Sequence, residues 1–124
     1  MRLRDLVGTA AYVCGPATTL REAAQAMTQK GHGSLGVVEG MSLLGVVTER
    51  DLIRAIASGA DLDAAPVSSI MSREPDTFSP DFDVREAAEW IAESGYRHLP
   101  VVERNELLGI VSIRDLLIAI VSKT

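Results

Sequence analysis

Cysteine, aromatic side chains and long apolar runs are all scarce in this chain of 124 residues. Its one cysteine, Cys14, can form no internal disulfide and could give only one ligand to a Cys-rich metal site, which points to a reduced, cytoplasmic setting. No stretch approaches the ~20 consecutive apolar residues that span a bilayer, and the opening MRLRDLVGTA has too short an apolar run for a signal peptide, so no membrane partner is expected. Positive charge is short as well: 12 Lys and Arg stand against 17 Asp and Glu, a formal charge of −5, and the arginines are scattered. Nucleic-acid phosphates call for clustered cations, so nucleic acid is not expected as a partner, and any anionic ligand must be held locally. Two histidines and one cysteine, well separated, provide no metal-ligand spacing. What is plentiful is apolar residue content, 47%, enough for a real core without disulfides or metal.

The second abundance is self-similarity. GVVTERDLIRAI, from Gly45 to Ile56, returns as GIVSIRDLLIAI, from Gly109 to Ile120. Laying Leu20–Ile56 over Val84–Ile120 needs no gap and leaves 18 of 37 positions identical, with Arg21-Glu22-Ala23-Ala24 over Arg85-Glu86-Ala87-Ala88. Upstream, Pro16 lies over Pro80 and Leu6-Val7 over Ile70-Met71. A repeat of about sixty residues follows, with a first copy over 1–60 and a second over 61–124. The Gly/Ala/Asp/Pro-rich stretch from Gly59 to Ser69 reads as the connector.

Local signals agree within each copy. Thr19 with Glu22 and Asp83 with Glu86 are N-cap and N3 pairs, each followed by apolar residues at i, i+3, i+4 and i+7, the pattern of an amphipathic helix. Gly31 and Gly95 stand where a left-handed residue ends such a helix. SLGVVE and HLPVVE, each joined by a short polar link to LLGVV or LLGIV, predict a β-hairpin. A second helix starts at Thr48 or Ser112, and a short extended segment precedes the first helix near Tyr12–Cys14 and Asp76–Phe78. The predicted fold is α+β: two β-α-β-β-α units that pack about a pseudo-twofold axis, since neither copy alone buries its helices and sheet.

A strand that delivers Thr48 or Ser112 and then Asp51 or Asp115 to a helix start places unpaired N–H groups and the positive dipole end where an anion is favoured. Taken alone, T-x-x-D or S-x-x-D is first a capping box, which contributes about 1 kcal/mol. Duplication beside Gly45 and Gly109, which leave room for a close approach, adds a binding reading. A hydroxyl can meet a phosphate or ribose oxygen, and a carboxylate can accept both hydrogen bonds of a ribose diol.

These stretches together resemble a tandem CBS domain, the Bateman module: SSIMSREPDTFSPDFDVREAAEWIAESGYRHLPVVERNELLGIVSIRDLL is similar to a nearly complete CBS motif, and ATTLREAAQAMTQKGHGSLGVVEGMSLLGVVTERDLI to another. The resemblance implies two units meeting through their sheets, with clefts between them that take an adenine nucleotide (AMP, ADP, ATP) or S-adenosylmethionine as regulatory ligand, and no catalytic cofactor. It maps the ribose contact onto Asp51 and Asp115 and the neighbouring hydroxyl onto Thr48 and Ser112. It also places the adenine against Tyr12, Val13, Asp76 and Thr77, and phosphate-directed basic side chains at Arg97 and His98. The helices of two such modules commonly meet, which implies a homodimer.

Two departures stand out. Gly33 and Ser34 occupy the places of Arg97 and His98, so the first copy brings less positive charge to its ligand; the two sites are expected to be unequal, the alternative being that the first prefers a neutral adenosyl group. The first copy also opens with DLVGTA where the second has Ile70-Met71-Ser72. Arg50 and Arg114, one before each Asp, could pair on the helix surface or reach a phosphate. His32, after a helix-ending glycine, is expected to face water, and Trp90 to serve the core or a dimer contact. No nucleophile or paired carboxylates accompany His98, so an enzyme is not expected. The expected function is a stand-alone regulatory sensor that signals to a separate effector protein; the alternative is a ligand-free dimerisation or interaction scaffold.

Overall fold

The computed structural model describes residues 1–8 and 12–122. Along the chain run β1 (Val13–Cys14), α1 (Leu20–Lys30), β2 (Ser34–Glu39), β3 (Ser42–Thr48), α2 (Glu49–Ala57), β4 (Ser72–Arg73), α3 (Val84–Ser94), β5 (His98–Glu103), β6 (Glu106–Ser112) and α4 (Ile113–Ser122), with single 3-10 turns at Leu3–Asp5 and Val67–Ser69. The β-α-β-β-α order is therefore present twice, with Phe78 bridging Val101 in parallel where the first copy has β1.

The chain divides into two compact units, and the division does not follow the expected cut at 60/61. One unit is 12–75; the other joins 1–11 to 76–124. Each unit therefore consists of the body of one repeat and the lead segment of the other. The hydrogen bonds that attach the two lead segments correspond one to one under a shift of 64 residues. Leu3 N–H donates to Phe82 O (2.9 Å), Arg4 N–H to Pro80 O (2.8 Å), and Val84 N–H to Met1 O (3.0 Å). In the other unit Val67 N–H donates to Thr18 O (2.7 Å), Ser68 N–H to Pro16 O (3.2 Å), and Leu20 N–H to Ala65 O (3.1 Å). The stretch read as a connector is thus a packed element, and Val67 within it is fully buried. Its apolar side chain and its paired amides explain why a Gly/Ala/Asp/Pro-rich composition did not produce a free linker.

Each unit has its own core, and the two cores are copies. Leu20, Ala23, Leu35, Val47, Leu52 and Val67 are buried together in one; Val84, Ala87, Leu99, Val111, Leu116 and Leu3 in the other. In unit 12–75 the sheet order is β1-β2-β3-β4, with β1 parallel to β2 and the remaining pairs antiparallel. In the other unit β5 and β6 form the antiparallel pair. The registers match: Ser34 faces Thr48 as His98 faces Ser112, and both hairpins shift register at the same place, Val37/Val38 and Val101/Val102.

Helix ends follow the sequence signals. Thr19 and Glu22 form a reciprocal capping box on α1, and Asp83 accepts from Arg85 N and Glu86 N on α3. Gly31 (φ 62°) and Gly95 (φ 79°) close these helices in the left-handed region that side chains other than glycine rarely adopt.

Candidate functional site

The two hydroxyl–carboxylate pairs lie at the starts of α2 and α4, and each is a formed cap. Asp51 Oδ2 accepts from Thr48 N–H (2.9 Å) and from Thr48 Oγ1 (3.0 Å), while Asp51 N–H donates back to Thr48 Oγ1 (3.3 Å). Asp115 Oδ2 accepts from Ser112 N–H (2.9 Å), and Asp115 N–H donates to Ser112 Oγ (3.1 Å). Capping uses one carboxylate oxygen in each pair. The other oxygen, Oδ1, has no hydrogen-bond partner among the described residues, and all four residues are half-buried. Each helix start thus holds an uncommitted carboxylate oxygen beside a hydroxyl, the acceptor set that a vicinal diol can use.

The room expected beside Gly45 and Gly109 is taken by the chain itself. A Cβ on Gly45 would come within 2.6 Å of the Ser72 carbonyl and 2.8 Å of Met71 Sδ, because β4 pairs there; on Gly109 it would come within 3.3 Å of Val7. Both glycines therefore admit the other repeat's lead segment, which sequence periodicity has no way of placing. Of the DLVGTA stretch, Thr9 and Ala10 lie outside the described residues.

Alternation along the strands sorts the remaining candidates. Paired residues point to the same face of a sheet, so Val13 (paired with Gly36), Ser34 and Thr48 share one face of unit 12–75. Tyr12 does not join them. It packs against the helix-side core, its ring edge-on to His32 at 4.8 Å, with Lys30 Nζ 4.8 Å from the ring centroid. His32 is accordingly half-buried rather than fully exposed, and its Nδ1 lies 3.2 Å from Ser34 O. In the other unit Phe78 and Val101 point into the core, so Thr77, His98 and Ser112 form the corresponding row; Asp76, exposed, lies one residue off it.

Arg97 and Gly33 occupy equivalent places at the helix starts: Arg97 O accepts from Ile113 N–H (2.9 Å), and Gly33 O from Glu49 N–H (3.0 Å). Arg97 is exposed. Over Gly33 stands the Glu49 carboxylate, whose Oε1 a Cβ there would meet at 3.0 Å. Arg50 and Arg114 are exposed and form no ion pair among the described residues. One residue escaped the sequence reading. Ser34 is fully buried, and its Oγ has no hydrogen-bond partner among the described residues. Its substitution for His98 in the repeat alignment was visible, but its burial was not.

Cys14 is half-buried, and burial pushes its thiol above the usual range, which disfavours the reactive thiolate. Trp90 packs edge-on against Phe78 at 4.9 Å and stacks on Tyr96 at 5.4 Å. No group of His, Cys, Asp and Glu among the described residues could hold a metal ion, and no helix there is long and apolar enough to cross a membrane.

A doubled α+β unit with a hydroxyl–carboxylate pair at each second-helix start defines a tandem-repeat module. The profile of the CBS domain matches residues 3–58 and 67–122, and the chain belongs to the CBS domain family. It is 38% identical over 117 residues to a 17.7 kDa protein of Acidianus ambivalens, covering 93% of this chain and 70% of that one. It is 36% identical over 115 residues to the CBS domain-containing protein YhcV of Bacillus subtilis, covering 92% and 81%. Among solved structures it is similar to a CBS domain protein of Pyrobaculum aerophilum complexed with AMP: TM-score 0.86, 29% identity, 98% of this chain and 99% of the other.

Proposed function

We propose that each unit binds the ribose of an adenosyl ligand at its second-helix start, Thr48–Asp51 in one and Ser112–Asp115 in the other, and that the module is a sensor, not a catalyst. The observation that carries this reading is Oδ1 of each capping aspartate, which has no hydrogen-bond partner among the described residues: the cap needs one oxygen, and the second stands beside a hydroxyl and a helix N-terminus. The AMP complex of the Pyrobaculum aerophilum relative supports the choice of an adenine nucleotide. Val13 and Thr77, on the same sheet faces as Thr48 and Ser112, are the wall for the base, and Arg97 is a phosphate contact.

For binding to become a signal, the ligand must prefer one state of the module over another, and that preference sets the coupling to a separate effector protein. A homodimer fits the exposed apolar faces of α2 and α4, where Ile53 is 65% and Val121 67% exposed. Such faces disfavour a solitary protomer in water. A reduced, cytoplasmic setting suits the unpaired Cys14.

Isothermal titration with AMP, ATP and S-adenosylmethionine tests the reading. Saturable binding weakened at least about tenfold in Asp51→Ala or Asp115→Ala supports a sensor. Flat traces for all three ligands, with the dimer intact, would leave the exposed apolar faces as the functional feature and the module as a scaffold.

A further inference from the structure

The two sites differ in one further respect that concerns ligand class. A buried hydroxyl without a partner is costly, because it has lost its water and gained nothing in return. Ser34 is such a group: 0% exposed, with Oγ unpartnered among the described residues. It stands directly opposite Thr48 in the β2–β3 ladder, on the same face, and side chains of such a pair lie ~5 Å apart. The orphaned hydroxyl therefore adjoins the hydroxyl and free carboxylate oxygen of the Thr48–Asp51 cap.

With an exposed arginine beside each cap, Arg50 in one and Arg114 in the other, the surroundings of this cap are more negative than those of its counterpart. Beside Ser112 and Asp115 stand Arg97 and the imidazole of His98; beside Thr48 and Asp51 stand Gly33, Ser34 and the Glu49 carboxylate. At the paired positions 33/49 and 97/113 one unit carries a negative charge and the other a positive one. A phosphate brought near Glu49 meets repulsion that a phosphate near Arg97 does not. A neutral ligand with donors and acceptors meets no such penalty and can satisfy Ser34.

Resting on the adenosyl-sensor reading, we propose that Ser34 is a ligand contact and that the unit 12–75 site selects an adenosyl ligand without phosphate, while the Arg97-bearing site selects the phosphorylated form. The selectivity follows from the exchange of two cationic or imidazole side chains for glycine and serine, reinforced by Glu49.

The test uses the full chain, with AMP and 5′-methylthioadenosine as probes in calorimetry. In Asp115→Ala, which leaves the Thr48–Asp51 site, 5′-methylthioadenosine should bind at least about tenfold tighter than AMP; in Asp51→Ala the order should reverse. Adding Ser34→Ala to Asp115→Ala should weaken 5′-methylthioadenosine about three- to tenfold, the effect of one lost hydrogen bond. The unliganded melting temperature should stay level or rise, since an unpaired buried hydroxyl has been removed. Equal affinity of the two probes in the Asp115→Ala background, undiminished 5′-methylthioadenosine binding after Ser34→Ala, or a lowered unliganded melting temperature each overturn the proposal. Failure of the wild type to bind either probe would instead refute the underlying sensor reading.

Discussion

Asp51 and Thr48 are joined through a single carboxylate oxygen: Oδ2 accepts from the Thr48 amide at 2.9 Å and from its hydroxyl at 3.0 Å, leaving Oδ1 for something else. Capping and the proposed ligand contact thus fall on different atoms of one side chain, and substitutions can separate them. Asp51→Ala should lose both, at a stability cost of about 1 kcal/mol. Asp51→Asn keeps an acceptor for the Thr48 amide, so urea denaturation should place it within about 0.5 kcal/mol of wild type. Its second position becomes a donor, and adenosyl binding should weaken about tenfold. Wild-type affinity in Asp51→Asn would show that the free oxygen is not a ligand acceptor.

The attachment of the N-terminal lead segment can be weighed through Leu3, which is fully buried among residues of the second repeat. Leu3→Ala should cost about 2–5 kcal/mol, the range for deleting a buried leucine. Trp90 is the sole tryptophan and lies in the same unit, so its fluorescence reports this transition during denaturation. The exposed ion pairs of Arg2 and Arg4 with Asp81 should add little, and Arg4→Ala should stay within about 1 kcal/mol of wild type. An unshifted midpoint for Leu3→Ala would mean that the lead segment does not contribute to this core in solution.

Gly45→Ala and Gly109→Ala should differ although their sequence contexts match. The new methyl at 45 collides with a backbone carbonyl in β4 at 2.6 Å, whereas the one at 109 meets the Val7 side chain at 3.3 Å. Overpacking against backbone should cost Gly45→Ala about 1–3 kcal/mol, and Gly109→Ala less. Equal thermal shifts would argue against the β3–β4 pairing.

Acid should weaken unit 12–75 through two exposed carboxylates. Hydrogen bonds from the Thr19 backbone and then its side chain hold Glu22 below its usual 4.5, and the hydrogen-bonded guanidinium of Arg21 holds Asp63 below its usual 3.8. Both groups bind protons more weakly in the folded state, so their contribution is complete above those ordinary values and is lost as pH falls through the lowered ones. Glu22→Gln retains a capping acceptor but cannot titrate. Its stability, followed by circular dichroism below about pH 4.5, should fall less steeply than that of the wild type; parallel curves would remove Glu22 from the acid response.

Charge on the exposed helix faces should dissociate the proposed dimer. Ile53→Glu and Val121→Glu alter side chains 65% and 67% exposed, so neither should lower protomer stability by more than about 0.5 kcal/mol. Analytical ultracentrifugation should show wild type at twice the protomer mass and both variants at the protomer mass. A wild type that sediments at 13.3 kDa would refute the dimer.

Much of this was readable beforehand, for reasons that differ by feature. The caps at Thr19, Thr48 and Ser112 and the helix ends at Gly31 and Gly95 involve residues three or four apart, so spacing carries the information. The hairpin partners Ser34 and Thr48 are near neighbours in sequence, and period-two alternation pairs them. What misled was contact at long range. Gly45 read as an opening for a ligand because nothing local indicates that Ser72 fills it. Gly59–Ser69 read as a connector because its composition outweighed one buried valine. Tyr12, set beside the base by resemblance, is a local matter instead: it packs on the core side with His32, one residue along from Val13.

By itself the sequence determined a doubled β-α-β-β-α chain with a capped carboxylate at each second-helix start, because local hydrogen bonds and apolar periodicity recur 64 residues apart. Only the tertiary structure decided which lead segment completes which core, why Gly45 must be glycine, and that the Ser34 hydroxyl is buried without a partner among the described residues. These depend on pairings between residues distant in the chain, and local propensity has no access to them.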